Sequence, residues 1–174
     1  MTEEYVVLVN EKDEPLGLME KQEAHIKAVL HRAFSIFIFN KKGEFLLQKR
    51  AESKYHSPLK WTNTCCSHPR DGETYSEAAH RRLQEELGFN CTLNEKFHFI
   101  YKADVGDNLT EHEFDRVFTG IYEGEFHLNP NEVDSVRWLS LDDLMNELHT
   151  QPEQFTEWFK IIFEKYHSVI SSKI

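Results

Sequence analysis

Cysteine is scarce in this chain: the 174 residues hold three, two of them adjacent at Cys65 and Cys66, and there is no Cys-x-x-Cys pair. Three thiols make a poor disulfide framework and offer no zinc-finger spacing, which suits a reducing compartment. Long apolar runs are missing as well, and none approaches the ~20 residues needed to span a bilayer. The opening Met1-Thr2-Glu3-Glu4-Tyr5 has no basic flank leading into an apolar core, so no secretory signal is expected. Positive charge is short overall. Twenty Lys and Arg against 30 Asp and Glu leave a net charge of -10, which argues against nucleic acid as a partner, because phosphate neutralisation drives that binding. Repeats, low-complexity tracts and linkers are absent too. The expectation is one cytoplasmic domain over residues 1–174, with no membrane partner.

What is present is enough apolar mass for a core, 40% hydrophobic residues with 13 Phe, and one local reversal of charge. Between Lys41 and Lys60, six Lys and Arg face only Glu44 and Glu52, a net +4 inside an acidic protein. Most charges of this kind belong to solvated faces. Arg50 and Lys54 flank the entry to the segment Trp61-Thr62-Asn63-Thr64-Cys65-Cys66-Ser67-His68-Pro69, and are the candidates for binding an anion.

The patterning predicts strands at Tyr5 to Val9, Ala33 to Phe39 and Glu44 to Arg50, the last two joined as a hairpin through Asn40-Lys41-Lys42-Gly43. A helix should run from Thr74, whose spacing to Glu77 is that of a capping box, to Gly88, which suits a left-handed C-terminal position. Ala79, Leu83 and Leu87 form its buried stripe. Further strands are expected at Phe97 to Ala103, Glu113 to Tyr122 and Val133 to Leu139, with a polar loop around Gly106-Asp107-Asn108. Helices should follow at Leu141 to Leu148 and, amphipathic and aromatic, from Glu153 to Val169. The class is α+β. Lone histidines are usually surface or hydrogen-bonded residues, the reading for His56, His80, His98, His112, His127, His149 and His167. Cys65 and Cys91 read as small buried apolar residues.

The stretch Ser67-x5-Glu73-x7-Arg81-Arg82-Leu83-Gln84-Glu85-Glu86-Leu87-Gly88-Phe89 resembles the signature of the Nudix family, with Ser67 in place of its first glycine and Arg82 in place of a glutamate. Those departures, with Thr62-Asn63-Thr64-Cys65-Cys66-Ser67-His68-Pro69 and with Lys21, His25, His31, Arg50, Lys54, Tyr101, Glu111, Glu113 and Trp158, resemble the type I isopentenyl-diphosphate isomerase branch. The resemblance implies a Nudix-like fold, mixed β-sheets packed between α-helices, and double-bond migration in a five-carbon isoprenoid diphosphate. It makes Cys66, Glu113 and Tyr101 catalytic: Cys66 as base or acid on one face, active near neutrality when a nearby cation or metal lowers its pKa, and Glu113 as proton donor on the other. Lys21, Arg50, Lys54 and Trp158 would bind substrate, Trp158 with its π face toward the developing cation and its helix as a lid. His25, His31, His68, Glu111 and Glu113 would hold zinc, manganese or magnesium, and Glu86 a magnesium bridging the diphosphate. A monomer or weak dimer is expected. Two other readings are a Nudix hydrolase acting on a nucleoside diphosphate derivative and a non-enzymatic metal- or isoprenoid-binding module.

Overall fold

The computed structural model describes residues 4–172. Strand β3 (His31–Phe39) lies at its centre, and its alternation sorts the protein into two layers. The even residues Phe34, Ile36 and Ile38 pack with Ala78, Ala79, Leu83 and Leu87 of helix α2 (Tyr75–Leu87). The odd residues Phe37 and Phe39 face the opposite way, into a larger aromatic core with Phe155, Phe159 and Phe163. Mixed β-structure is therefore packed between helices, as expected.

On one edge β3 runs parallel to β8 (Leu109–Ile121), with His31 opposite Glu113 and Ser35 opposite Val117. Strand β7 (Asn94–Gly106) pairs antiparallel with β8 and places Tyr101 opposite Glu113. The expected polar loop between them is only a two-residue turn. Asp107 and Asn108 both take left-handed backbone, at φ 53° and 59°, as the tight hairpin turn requires and Asp and Asn tolerate.

The hairpin expected between β3 and β4 (Phe45–Arg50) keeps its turn but little of its ladder. Only Phe39 and Phe45 pair, because β6 (Cys65–Ser67) pairs with β3 across Phe34 to Ile36 and β4 turns away to β9 (Val133–Leu139) and to β5 (Trp61–Thr62). Besides β5 and β6, two elements near the start of the chain were not foreseen. Strand β2 (Pro15–Glu20) pairs with β1 (Tyr5–Val9), and a short helix α1 (Lys21–Ile26) follows, its first N–H groups of Gln22 and Glu23 donating to the Glu20 carboxylate.

Helix α2 is capped as the sequence predicts, with Thr74 and Glu77 bonded reciprocally and Gly88 left-handed at φ 71°. Helix α3 (Leu141–Thr150) closes part of the larger core through Leu144. Helix α4 starts later than expected, at Glu157 instead of Glu153 (Glu157–Ile170). Pro152–Gln154 form one 3-10 turn, and the chain then extends so that Phe155 bridges Trp61 and the Thr156 N–H donates to the Trp61 carbonyl at 3.0 Å. That tertiary contact outranks helical propensity over four residues. Helix α4 is also no lid. Trp158, Phe159, Ile162, Phe163 and Ile170 are all buried in the core, so it forms a fixed wall.

Candidate active site

Strand alternation builds the centre. On β8, Glu111, Glu113 and Asp115 share the face that looks toward the aromatic core, while His112 points away and donates from Nδ1 to the Ala28 carbonyl. His31 enters beside Glu113 from β3 and His25 from α1, and His68 follows β6. One ligand atom from each of His25, His31, His68, Glu111 and Glu113 lies within 4.8 Å of all the others. That is the set the sequence resemblance implies.

The ring orientations suit a cation. His25 donates from Nδ1 to the Lys21 carbonyl at 2.6 Å, and His31 from Nδ1 to the Val29 carbonyl at 2.8 Å, which turns both Nε2 atoms inward. His25 Nε2 lies 3.1 Å from Glu111 Oε2, and His68 Nε2 lies 2.9 Å from Glu113 Oε1. His31 Nε2 is fully buried and has no hydrogen-bond partner among the described residues. A buried nitrogen lone pair aimed at two carboxylates calls for an electrophile, and three imidazoles with two carboxylates form a donor set that takes a divalent transition metal. The residues fit a bound metal.

Charge in this cluster is strongly redistributed. Burial pushes His31 down to about 4. Burial, with His31 and His25 alongside, holds His68 well below the usual imidazole range. Burial also acts to lower His25, but the Glu111 carboxylate outweighs it and raises the ring. Glu111 would be raised by burial, yet hydrogen bonds from Glu113, His25 and His56 hold it well below the usual carboxylate range. Glu113 goes the other way, pushed well above that range by burial and by its neighbour Glu111. Without a cation, the two carboxyls are divided between one charged and one neutral group.

A cavity of about 450 Å³ opens onto this cluster, within the range that holds small ligands. Lys21, Arg50, Lys54, Cys66, His68, Glu86, Tyr101, Glu111, Glu113 and Trp158 all line it, and His25 and His31 lie buried behind. Tyr101 donates its hydroxyl to Glu113 Oε2 at 2.6 Å. Alternation on β6 decides between the adjacent thiols: Cys65 is buried against α2, and Cys66 turns to the cavity. Burial pushes the Cys66 thiol up to about 12, and the nearby Arg50 guanidinium offsets only part of that.

The basic residues arrive already engaged. Lys21 pairs with Glu4 and sits 5.3 Å from the Tyr55 ring centroid, and Lys54 pairs with Glu132. Arg50 has no carboxylate partner among the described residues; it donates to the carbonyls of His56 at 3.1 Å and Ser57 at 3.2 Å, and lies over the Trp158 ring at 5.1 Å. One face of Trp158 is therefore taken by a guanidinium. Glu86, nearly buried, accepts from Arg82 Nη2 at 2.6 Å and from Gln48 Nε2 at 2.8 Å.

Several wall residues were missed, Gln48, Tyr55 and His56 among them. Gln48 and Tyr55 showed no signal in a strand and a loop. His56 read as an ordinary hydrogen-bonded histidine, and it is hydrogen-bonded, but its Nε2 lies 3.3 Å from Glu111 Oε1 in the cavity wall. Its spacing two residues beyond Lys54 was the sole hint.

The fold, with this site set between its strands and helix α2, defines a Nudix-class protein, and the sequence matches the NUDIX domain over residues 29–159. The fold is similar to those of DR0079 from Deinococcus radiodurans (TM-score 0.78, 21% identity, 93% of this chain and 98% of that one) and the MutT protein from Methanosarcina mazei Go1 (TM-score 0.65, 21% identity, 80% and 94%). Within that class the likeness is closer to one branch. The chain is 48% identical to the isopentenyl-diphosphate Delta-isomerase of Pectobacterium atrosepticum (92% of this chain, 89% of that protein) and 49% identical to isopentenyl-diphosphate Delta-isomerase 2 of Photorhabdus laumondii (92% and 90%). It belongs to the isopentenyl-diphosphate Delta-isomerase family.

Proposed function

We propose that this chain works as one domain that isomerises isopentenyl diphosphate to dimethylallyl diphosphate in isoprenoid biosynthesis. The observation that carries the reading is one cavity in which Cys66 and the Tyr101–Glu113 pair share the wall with a cluster of three imidazoles and two carboxylates. Near-full-length relatives with this activity in their names support it.

An unactivated alkene has no carbonyl to stabilise a carbanion, so its double bond moves by gaining a proton at one carbon and losing one at another. Glu113 gives a proton to the terminal methylene carbon, leaving positive charge on the branched carbon. Cys66, acting as its thiolate, takes a proton from the carbon on the other side of that centre and becomes the thiol, and the new double bond forms there. Tyr101 holds the Glu113 carboxyl in position through its 2.6 Å hydrogen bond. The buried aromatic wall of α4, with Trp158 at its start, keeps out water that would capture the cation. Arg50, Lys21 and Lys54 bind the diphosphate, and Glu86 would hold a magnesium ion that helps neutralise its charge. His25, His31, His68, Glu111 and Glu113 would hold a zinc, manganese or magnesium ion, whose positive charge would set the acidity of Glu113. The protein acts in the cytoplasm as a monomer or weak dimer.

The test is incubation of isopentenyl diphosphate with the protein and magnesium in deuterated water. Dimethylallyl diphosphate carrying deuterium is expected, and Cys66→Ala should abolish its formation. Release of inorganic phosphate with no isomer would instead identify a hydrolase, and full activity of Cys66→Ala would overturn the assigned proton transfers.

A further inference from the structure

The loop between β4 and β5 is bent in a way that needs an explanation. Ser57 and Leu59 both take left-handed backbone, at φ 48° and 57°, although neither is glycine. Such strain persists where surrounding contacts over-determine the conformation, and it gathers at functional sites. Here Arg50 supplies the contacts. Its main-chain N–H donates to the Lys60 carbonyl at 2.9 Å, its own carbonyl accepts from the Leu59 N–H at 3.1 Å, and its guanidinium clamps the carbonyls of His56 and Ser57. The strained bend drives the His56 ring inward, where it is 6% exposed.

In that place the ring is fixed on every side. It stands edge-on to Trp158 at 5.6 Å and to Tyr55 at 4.4 Å between centroids. Its Nδ1 lies 3.5 Å from the Ser57 hydroxyl, which can donate to it, and its Nε2 is 3.3 Å from Glu111 Oε1. Glu111 Oε2 meanwhile faces His25. A carboxylate held at both oxygens cannot rotate about its terminal bond, so the oxygen offered to the imidazole cluster is set by the residue holding the other one.

We propose that His56 is a positioning residue for the metal centre: its Nε2–H donates to Glu111 Oε1 and thereby aims Oε2 at the His25, His31 and His68 cluster. The same residue joins that centre to the substrate wall, because its carbonyl holds the Arg50 guanidinium over Trp158. This rests on the reading of the five-residue cluster as a metal site.

The experiment compares native protein with His56→Phe, which keeps the ring and deletes the donor, and with His56→Gln, whose amide can reach the Nε2 position. His56→Asn is a second donor deletion, since its shorter amide stops near the Nδ1 position. Zinc affinity is measured by competition with a chromophoric chelator, and the coordination sphere by the visible absorption of the cobalt(II)-loaded forms. Removing a residue that orients a ligand weakens metal binding by about 10- to 100-fold. That loss, with a changed cobalt spectrum, is expected in His56→Phe and His56→Asn, and recovery to within about threefold of native in His56→Gln. Far-UV and near-UV circular dichroism of the metal-free forms checks that each variant is folded. If both deletions unfold, the nitrogen-15 shifts of His56 in the native protein decide: the Nε2–H tautomer supports the proposal and the Nδ1–H tautomer overturns it. Native zinc affinity and spectrum in His56→Phe overturn the role of His56 alone. Native protein that binds neither zinc nor cobalt overturns the metal site, and this inference with it.

Discussion

Replacing Tyr101 with Phe removes one hydroxyl from a buried place and little else. The ring stacks on Phe99 at 5.5 Å, a contact that Phe retains. The loss is the hydrogen bond to Glu113 Oε2 at 2.6 Å. A hydrogen bond to a neutral group contributes ~0.5–1.5 kcal/mol and one to a charged group ~1.5–3 kcal/mol. In the proposed reaction Glu113 is the proton donor, so it starts as a carboxylic acid and becomes a carboxylate as it gives up its proton. The bond therefore strengthens on the way to the transition state by the difference, about 1–1.5 kcal/mol. At about 1.4 kcal/mol per factor of ten, kcat should fall roughly 5- to 13-fold. KM should hardly move, because the ground-state bond is the weaker one and substrate contacts are unchanged. Steady-state rates with isopentenyl diphosphate, run beside a thermal melt, test this. A kcat within twofold of native, or a loss found entirely in KM, would refute the assignment of Tyr101 as the partner of a proton-donating Glu113.

Three further outcomes follow from other parts of the molecule. Stripping metal with a chelator should abolish isomerisation and lower the melting temperature by about 5–10 °C, since an ion present at 100 times its Kd stabilises by ~2.7 kcal/mol and each kcal/mol is worth about 2–4 °C at this size; an unchanged melt would argue against a bound ion. Phe159→Ala, in a fully buried position stacked between Phe37 and Phe155, should cost about 3–5 kcal/mol in urea unfolding, whereas a loss under 1 kcal/mol would restore α4 as a mobile lid. Asp13 tests the pH dependence: burial acts to raise its carboxyl, but hydrogen bonds from Tyr75, Arg32 and Arg116 prevail and hold it below the usual range. A carboxyl depressed in the folded state stabilises above its unfolded pKa of about 3.9 and loses that contribution as pH falls through the lower folded value. Asp13→Asn should therefore be less stable than native by about 1–3 kcal/mol at pH 7, with the gap closing below about pH 3; an equal gap at both pH values would show that the ionised form is not what matters.

What could be read from the sequence was what depends on neighbours along the chain. Thr74 with Glu77 and Gly88 state the limits of α2 locally, and the structure keeps both caps. The period of two on β8 is equally local, so Glu111 and Glu113 were legible as a joint pair, and the same alternation separates Cys66 from Cys65 once β6 is in place. What failed depends on partners far away. The turn after Phe39 promised a hairpin, but Cys65, Cys66 and Ser67 take the edge of β3 that a hairpin would have used. The aromatic pattern from Glu153 onward promised helix, but Trp61 draws Phe155 and Thr156 into extended backbone. His56 was invisible for the same reason: its partner Glu111 is 55 positions along the chain, and the bend that aims it comes from two left-handed residues of types that seldom adopt that conformation.

The exchange of a glutamate for Arg82 has a consequence for how metal enters the diphosphate end of the cavity. Two carboxylates at positions 82 and 86 would stand one helical turn apart and repel each other, an arrangement relieved by a cation bound in advance. With Arg82, the helix neutralises itself: the guanidinium reaches Glu86 at 2.6 Å, Glu85 at 2.8 Å and Glu132 at 3.2 Å, and Gln48 takes the other oxygen of Glu86. A magnesium ion arriving alone would have to displace these partners for the sake of one protein carboxylate, whereas magnesium prefers to be bound through one or two carboxylates together with phosphate oxygens. The two ends of the cavity should therefore fill in order. After dialysis against magnesium and zinc, metal analysis should find about one ion per chain, and a second should appear only when inorganic pyrophosphate is added. Two tightly held ions in the absence of any diphosphate would show that Glu86 binds metal despite Arg82, and that the substitution does not govern the order of assembly.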